Sequence, residues 1–132
     1  MITSPLHLVV PLDGSDDFAR AKAYARGVAT ELAAAHPALI TAKVARSERA
    51  GRIYVDWAQN DPLRSTIAPY SLRATSRPGV SMPLRWEEIE RAAAERKAKG
   101  LWFSPEAARE RLETTGDLFV PVLHPGARLP AP

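Results

Sequence analysis

The sequence predicts an α+β fold, with helices flanking a small, mostly antiparallel sheet, and three observations predict it. Arg52-Ile53-Tyr54-Val55-Asp56-Trp57 alternates with period two, as a half-buried strand does. Phe18, Ala21, Ala25, Val28 and Leu32 recur at helical spacing. Pro62, Pro69, Pro78 and Pro83 punctuate the middle of the chain into short strands and turns. The resulting order is β, α, β, β, β, α, α. A sheet of this kind leaves an edge unpaired, which suits a piece of a larger sheet.

The elements follow in chain order. Leu6 to Leu12 is an apolar run broken by His7 and ended by Asp13-Gly14, so it reads as a strand and a turn. The helix that follows has Ser15 or Asp16 as its cap and stops near His36-Pro37. Thr41 to Ala50 is ambiguous, with one or two basic helical turns as one reading, and Gly51 breaks it. In the strand after it, Ile53, Val55 and Trp57 share one face, and Arg52, Tyr54 and Asp56 the other. Asn60-Asp61-Pro62 turns the chain into an extended segment over Thr66 to Ala74, where Pro69, Ser71 and Arg73 point one way. A loop over Ser76 to Gly79 leads to a short strand over Val80 to Leu84. Trp86 to Lys99 predicts a helix with Glu87, Glu88 and Glu90 near its positive end, closed by Gly100. Ser104-Pro105-Glu106 opens the last helix, through Leu112.

At 132 residues the chain has room for one domain with a modest core. Hydrophobic residues at 45% and charged residues at 25% are the balance of a globular protein, and no apolar run is long enough to cross a bilayer. Met1 to Val10 lacks a basic flank and a small-residue cleavage site, so an intracellular protein is expected. The absence of cysteine excludes disulfides and thiolate metal sites. A net charge of +3 fits a nucleic-acid or nucleotide partner, though many basic proteins bind neither.

Chemistry-bearing residues concentrate on one face of the expected sheet: His7, Arg52, Asp56, Ser71 and Arg73. A carboxylate beside guanidinium groups and an imidazole suits a metal-bound triphosphate, because Asp56 offers oxygen to a hard cation while arginines neutralise phosphate oxygens. Taken singly, each has a plainer explanation. An aspartate at a strand end ordinarily caps a turn, surface arginines are ordinarily solvated, and a histidine in an apolar strand is ordinarily structural. His36 and His124 precede prolines and receive no role, and the three tryptophans read as core or interface anchors. Lys43, Arg46, Arg49 and Arg52 could meet a nucleic-acid backbone or simply face water. The sequence holds no Gly-rich phosphate loop, nucleophile elbow or metal-type histidine pair.

Several blocks carry a more specific signal. Arg52-Ile-Tyr-Val-Asp-Trp-Ala-Gln-Asn60, Ala68-Pro-Tyr-Ser-Leu-Arg-Ala74, Val80-Ser-Met-Pro-Leu84 and Trp86-Glu87-Glu88 together resemble, in order and spacing, the polymerase domains of bacterial DNA ligase D, in the archaeo-eukaryotic primase superfamily. The likeness runs from His7 to Asp117 and corresponds to the C-terminal half of that domain. It implies a primase-type catalytic fold over residues 1–117, followed by a proline-rich irregular tail over 118–132. It implies that Asp56 is a catalytic metal ligand, that His7 is a catalytic residue contacting the incoming nucleotide's phosphates, and that Arg73 helps hold the triphosphate. Arg52 lies beside that site, and Ser71, on the same face by strand parity, is a further expected phosphate-binding residue. The family's Asp-x-Asp pair, which supplies most metal ligands, is not found among the 132 residues, and where the family has a Ser/Gly-rich approach to the histidine this chain reads Met1-Ile-Thr-Ser-Pro-Leu6.

The expected function is therefore nucleotidyl transfer to DNA ends in non-homologous end joining, by a chain truncated so that it lacks the Asp-x-Asp pair and is inactive alone. The implied cofactor is manganese or magnesium in a completed site. Implied partners are DNA ends, a nucleoside triphosphate, an N-terminal polymerase half, a ligase and a Ku-type end-binding protein, without a membrane and in the bacterial cytoplasm. The alternatives are a non-catalytic remnant or interaction module that binds nucleotide or DNA ends, and a decayed gene product.

Overall fold

The structure is a computed structural model that describes residues 5–131; the readings of residues 1–4 and of Pro132 lie outside it. It divides into two compact units, one containing residues 12–66 and 125–131, the other residues 5–11 and 67–124.

In the first unit the chain turns at Asp13-Gly14. Gly14 has φ 83°, and Ser15 donates its N–H and hydroxyl to Asp13 Oδ1 at 2.9 and 2.6 Å. Helix α1 spans Phe18–Ala35 and is capped by Asp17, whose carboxylate accepts the Arg20 N–H at 2.8 Å. The cap thus lies beyond the expected Ser15 or Asp16, because Asp16 is otherwise engaged: it pairs with Arg20 Nε at 2.5 Å and accepts the Leu129 N–H at 3.2 Å. At the far end the His36 N–H returns to the Leu32 carbonyl, and Pro37 stops the helix.

The inward face of α1 also differs from the expected stripe. Ala29 is fully buried and Ala21, Ala25 and Ala33 partly so, whereas Phe18, Val28 and Leu32 are exposed. α1 packs against strand β1, Ile40–Thr41, and against the 3-10 turn Trp57–Gln59. Methyl side chains let the helix backbone approach that closely, and larger residues are turned aside. β1 stands where basic helical turns were one reading, and the helical part is confined to the 3-10 turn Arg46–Arg49. β1 pairs in parallel with β2, Ile53–Tyr54, in the register Ile40↔Ile53 and Thr41↔Tyr54. The period-two pattern is cut short after Tyr54, because the Trp57 N–H bonds to the Val55 carbonyl at 3.0 Å and the chain coils.

In the second unit the expected strand over Leu6 to Leu12 does not form. Residues 5–11 have no regular structure and are largely exposed, and among the described residues no neighbouring strand supplies ladder partners; Leu12, already in the first unit, makes an isolated bridge with Ala127 of that unit. β3, Leu72–Arg73, pairs antiparallel with β4, Gly79–Val80, in the register Leu72↔Val80 and Arg73↔Gly79. Gly79 is buried against Trp102, and a Cβ there would stand 2.4 Å from the indole Nε1. Arg77 covers the Trp102 ring at 3.7 Å.

Helix α2 runs Trp86–Ala94, with Glu88 accepting the Arg85 N–H at 2.7 Å, and it ends earlier than the expected Lys99. Arg96 adopts φ 52°, its N–H bonds to the Ala93 carbonyl and the Lys97 N–H to the Ala92 carbonyl, which is a Schellman stop without glycine. A 3-10 turn, Ala98–Leu101, follows. Helix α3, Pro105–Thr115, has the expected Ser104 cap on the Ala107 N–H at 3.1 Å, with proline in its first turn, and runs past Leu112 to Gly116 at φ 71°. Arg111 of α3 grips Glu88 of α2 through both terminal nitrogens at 2.6 Å and lies 5.0 Å over the Phe103 ring. A last 3-10 turn covers Val120–Leu123.

Two predictions follow from this packing. Gly79→Ala forces the Trp102 indole off β4 and lowers stability by about 1–3 kcal/mol, read by thermal or urea denaturation; an unchanged midpoint would contradict the contact. The Arg111 guanidinium holds the Glu88 carboxyl below its ordinary value of 4.5. The pair therefore stabilises fully above that value and loses its effect as the pH falls through the lowered one. Arg111→Met removes this acid-dependent component, so its stability falls less between neutral and acid pH than that of the parent chain.

Candidate functional site

Asp56 follows β2 and precedes the Trp57–Gln59 turn, with its side chain exposed. The Tyr54 hydroxyl donates to Asp56 Oδ1 at 3.2 Å. That hydroxyl titrates above its ordinary value, because burial disfavours the phenolate and the Asp56 carboxylate adds to the effect. Arg49 lies 3.7 Å over the Tyr54 ring and donates to the Val44 carbonyl. One oxygen of Asp56 is thereby oriented from within the ribbon, and the carboxylate keeps capacity for further partners.

Arg52 leads into β2 from the other end. Its guanidinium reaches Glu48 Oε2 at 3.4 Å, and Lys43 reaches Glu48 Oε1 at 3.2 Å. Lys43, first by its hydrogen bond and then by its charge, holds the Glu48 carboxyl below the ordinary value. Arg52, Lys43, Glu48, Arg26 and Trp57 line a groove of about 650 Å³. Arg26 lies 5.1 Å over the Trp57 ring, and the indole N–H bonds to the Ala42 carbonyl at 2.9 Å. Trp57 is therefore a half-buried anchor with a satisfied polar tip.

Ser71 and Arg73 belong to the other unit. Both are partly buried on either side of Leu72, which is 63% exposed, so the two polar side chains share the side away from Leu72. They are set by the turn before them. The Ser71 N–H bonds to the Ala68 carbonyl at 3.3 Å, Pro69 occupies the second position and Tyr70 the third, with φ 65°. This is the type II pattern, whose third position ordinarily takes glycine or asparagine; the left-handed conformation costs a residue with a side chain about 1–2 kcal/mol. The Tyr70 hydroxyl donates to Asp117 Oδ1. Burial, and secondly that carboxylate, push its pKa to about 12. His7 is exposed in the irregular segment 5–11 of the same unit.

The structure thus brings Arg52 and Asp56 to the two ends of one strand and Ser71 and Arg73 to one side of another. Sequence reasoning missed Tyr70, Asp117 and Glu48. Pro69 signalled a turn, but the left-handed conformation of Tyr70 has no local signature, and its contact with Asp117 spans 47 positions. Among the described residues no group of three or more His, Asp or Glu side chains converges as a metal site. Asp56 is chemically suited to a hard divalent cation, with ligands beyond this group needed to complete the shell.

An α+β chain with a carboxylate and arginines on or beside such short strands, and a histidine in an irregular segment, fits the primase-polymerase class. The sequence profile described as LigD, primase-polymerase domain, matches residues 4–119. The chain belongs to this family. It is 41% identical over 117 residues to the multifunctional non-homologous end joining protein LigD of Mycolicibacterium smegmatis, a match covering 89% of this chain and 15% of that protein. It is 39% identical over 114 residues to the corresponding DNA repair protein of Mycobacterium tuberculosis strain H37Rv, covering 86% of this chain and 14% of that protein. Among solved structures it is similar to the polymerase domain of Mycobacterium tuberculosis ligase D in complex with DNA. The TM-score is 0.75 at 37% identity, covering 85% of this chain and 37% of the other. The chain thus spans only a small part of the curated relatives' length.

Proposed function

We propose that this chain supplies part of a polymerase centre that adds nucleotides to DNA ends during non-homologous end joining. The observation that carries the reading is that the Arg52–Asn60 and Ala68–Ala74 blocks fall within a 116-residue family match, residues 4–119. The relatives' names support the repair role, and the DNA-bound polymerase domain supports DNA as a ligand.

In this reading Asp56 is a carboxylate for a manganese or magnesium ion, and His7, Arg52, Ser71 and Arg73 are phosphate-binding residues. Phosphoryl transfer needs positioning and charge compensation more than covalent chemistry from the protein, and these residue types provide both. A second carboxylate source is required, since the 132 residues contain no Asp-x-Asp pair. In this reading the pair comes from a polymerase segment outside these 132 residues, and the two act together at broken DNA ends in the bacterial cytoplasm. A ligase and a Ku-type end-binding protein are its expected neighbours in that process.

Reconstitution tests this directly. Mixed with a polymerase segment containing the Asp-x-Asp pair, manganese, primed DNA and ribonucleotides, the chain extends the primer, and Asp56→Ala lowers extension by at least about a hundredfold. Extension that survives Asp56→Ala removes the catalytic assignment. Salt-dependent DNA binding without extension under every condition would instead identify a non-catalytic binding module.

A further inference from the structure

We propose that Tyr70 is the positioning residue for Arg73: tied to Asp117, its side chain fixes the register in which β3 presents Arg73 and Ser71 to phosphate oxygens. This rests on the phosphate-binding reading above and names the device that holds that site in shape.

The need for such a device follows from the length of the ribbon. β3 and β4 contribute two residues each, paired Leu72↔Val80 and Arg73↔Gly79. A ladder this short has no redundancy, and a slip of one residue would carry Arg73 and Ser71 to the side now occupied by Leu72. Something outside the ladder must hold the register.

Tyr70 is held at both ends of the residue. Its N–H bonds to the Ser81 carbonyl at 2.7 Å, just beyond β4, and the Ser81 N–H returns to the Ser71 carbonyl at 2.9 Å. Its hydroxyl reaches Asp117, which follows the Gly116 stop of α3 and whose Oδ1 also accepts the Phe119 N–H at 2.8 Å. The acceptor is therefore itself anchored. Glycine would serve the Ala68–Ser71 turn without strain, so the turn alone does not call for tyrosine. What tyrosine adds is the reach to Asp117. Sliding β3 by one residue would take the hydroxyl off Asp117 or force Tyr70 out of its left-handed conformation. With the pKa raised to about 12, the hydroxyl remains a neutral donor throughout the neutral range.

The test uses inorganic triphosphate as the probe, calorimetry for binding and two variants that separate turn from tie. Tyr70→Phe keeps the ring and loses the hydroxyl; Tyr70→Gly keeps the turn and loses the tie. Both are expected to weaken triphosphate binding about tenfold, with the melting temperature of Tyr70→Phe within a few degrees of the parent. In an Arg73→Ala background, Tyr70→Phe has no further effect, as expected of a residue that acts through Arg73. Parent-like binding by Tyr70→Phe, or a loss that adds in full to that of Arg73→Ala, overturns the proposal. If the parent chain does not bind triphosphate, the phosphate reading fails on its own. The positioning claim is then decided by the cross-strand nuclear Overhauser contacts Leu72–Val80 and Arg73–Gly79: their loss in Tyr70→Phe supports it, and their persistence refutes it.

Discussion

Scarcity of burial is the constraint under which the rest of this structure is built. Among the described residues the buried apolar side chains are the single methyl groups of Ala29 and Ala108, while Leu8, Leu63, Leu72 and Trp86 stand mostly in water. Apolar transfer scales with the area removed from water, so a structure of this kind takes little stabilisation from a core. Directed contacts carry correspondingly more of the specificity. The Arg111–Glu88 fork fixes α2 to α3, and Trp102 packs where Gly79 leaves room for it. The Asp16 carboxylate joins Arg20 to the backbone of Leu129.

The same constraint shapes the candidate site. Four of its residues sit on or beside strands two residues long, and such strands cannot by themselves fix the direction of a side chain. Side-chain contacts supply what the ladders lack: Tyr54 orients Asp56, Glu48 gathers Arg52 and Lys43, and Tyr70 ties the approach to β3 to the end of α3. Under the proposed reading, charge compensation of a triphosphate needs several cations at defined separations, and these ties help define separations within each unit.

Much of this was legible in the residues, and the misses have identifiable causes. The start of α3 was readable because Ser104-Pro105 is a local signal, decided by one hydroxyl and one ring. The turn at Asp13-Gly14 was readable for the same reason. The strand expected over Leu6 to Leu12 was not realised, because an apolar run states only that a segment can be extended; ladder partners must come from elsewhere in the chain. α2 stopped early at Arg96, a residue with no propensity for the left-handed conformation it adopts, so no glycine marked the stop.

By itself the sequence determined the class of fold, the main helices, the family, and the identity of the residues with chemistry to offer, since these depend on periodicity, capping and ordered motifs that lie within a few positions of one another. Tertiary structure decided that Ala29 rather than Val28 faces inward, that β1 and β2 run parallel, and that Tyr70 meets Asp117. Those outcomes turn on which distant atoms come within hydrogen-bonding or van der Waals range, and a one-dimensional pattern carries no record of that distance.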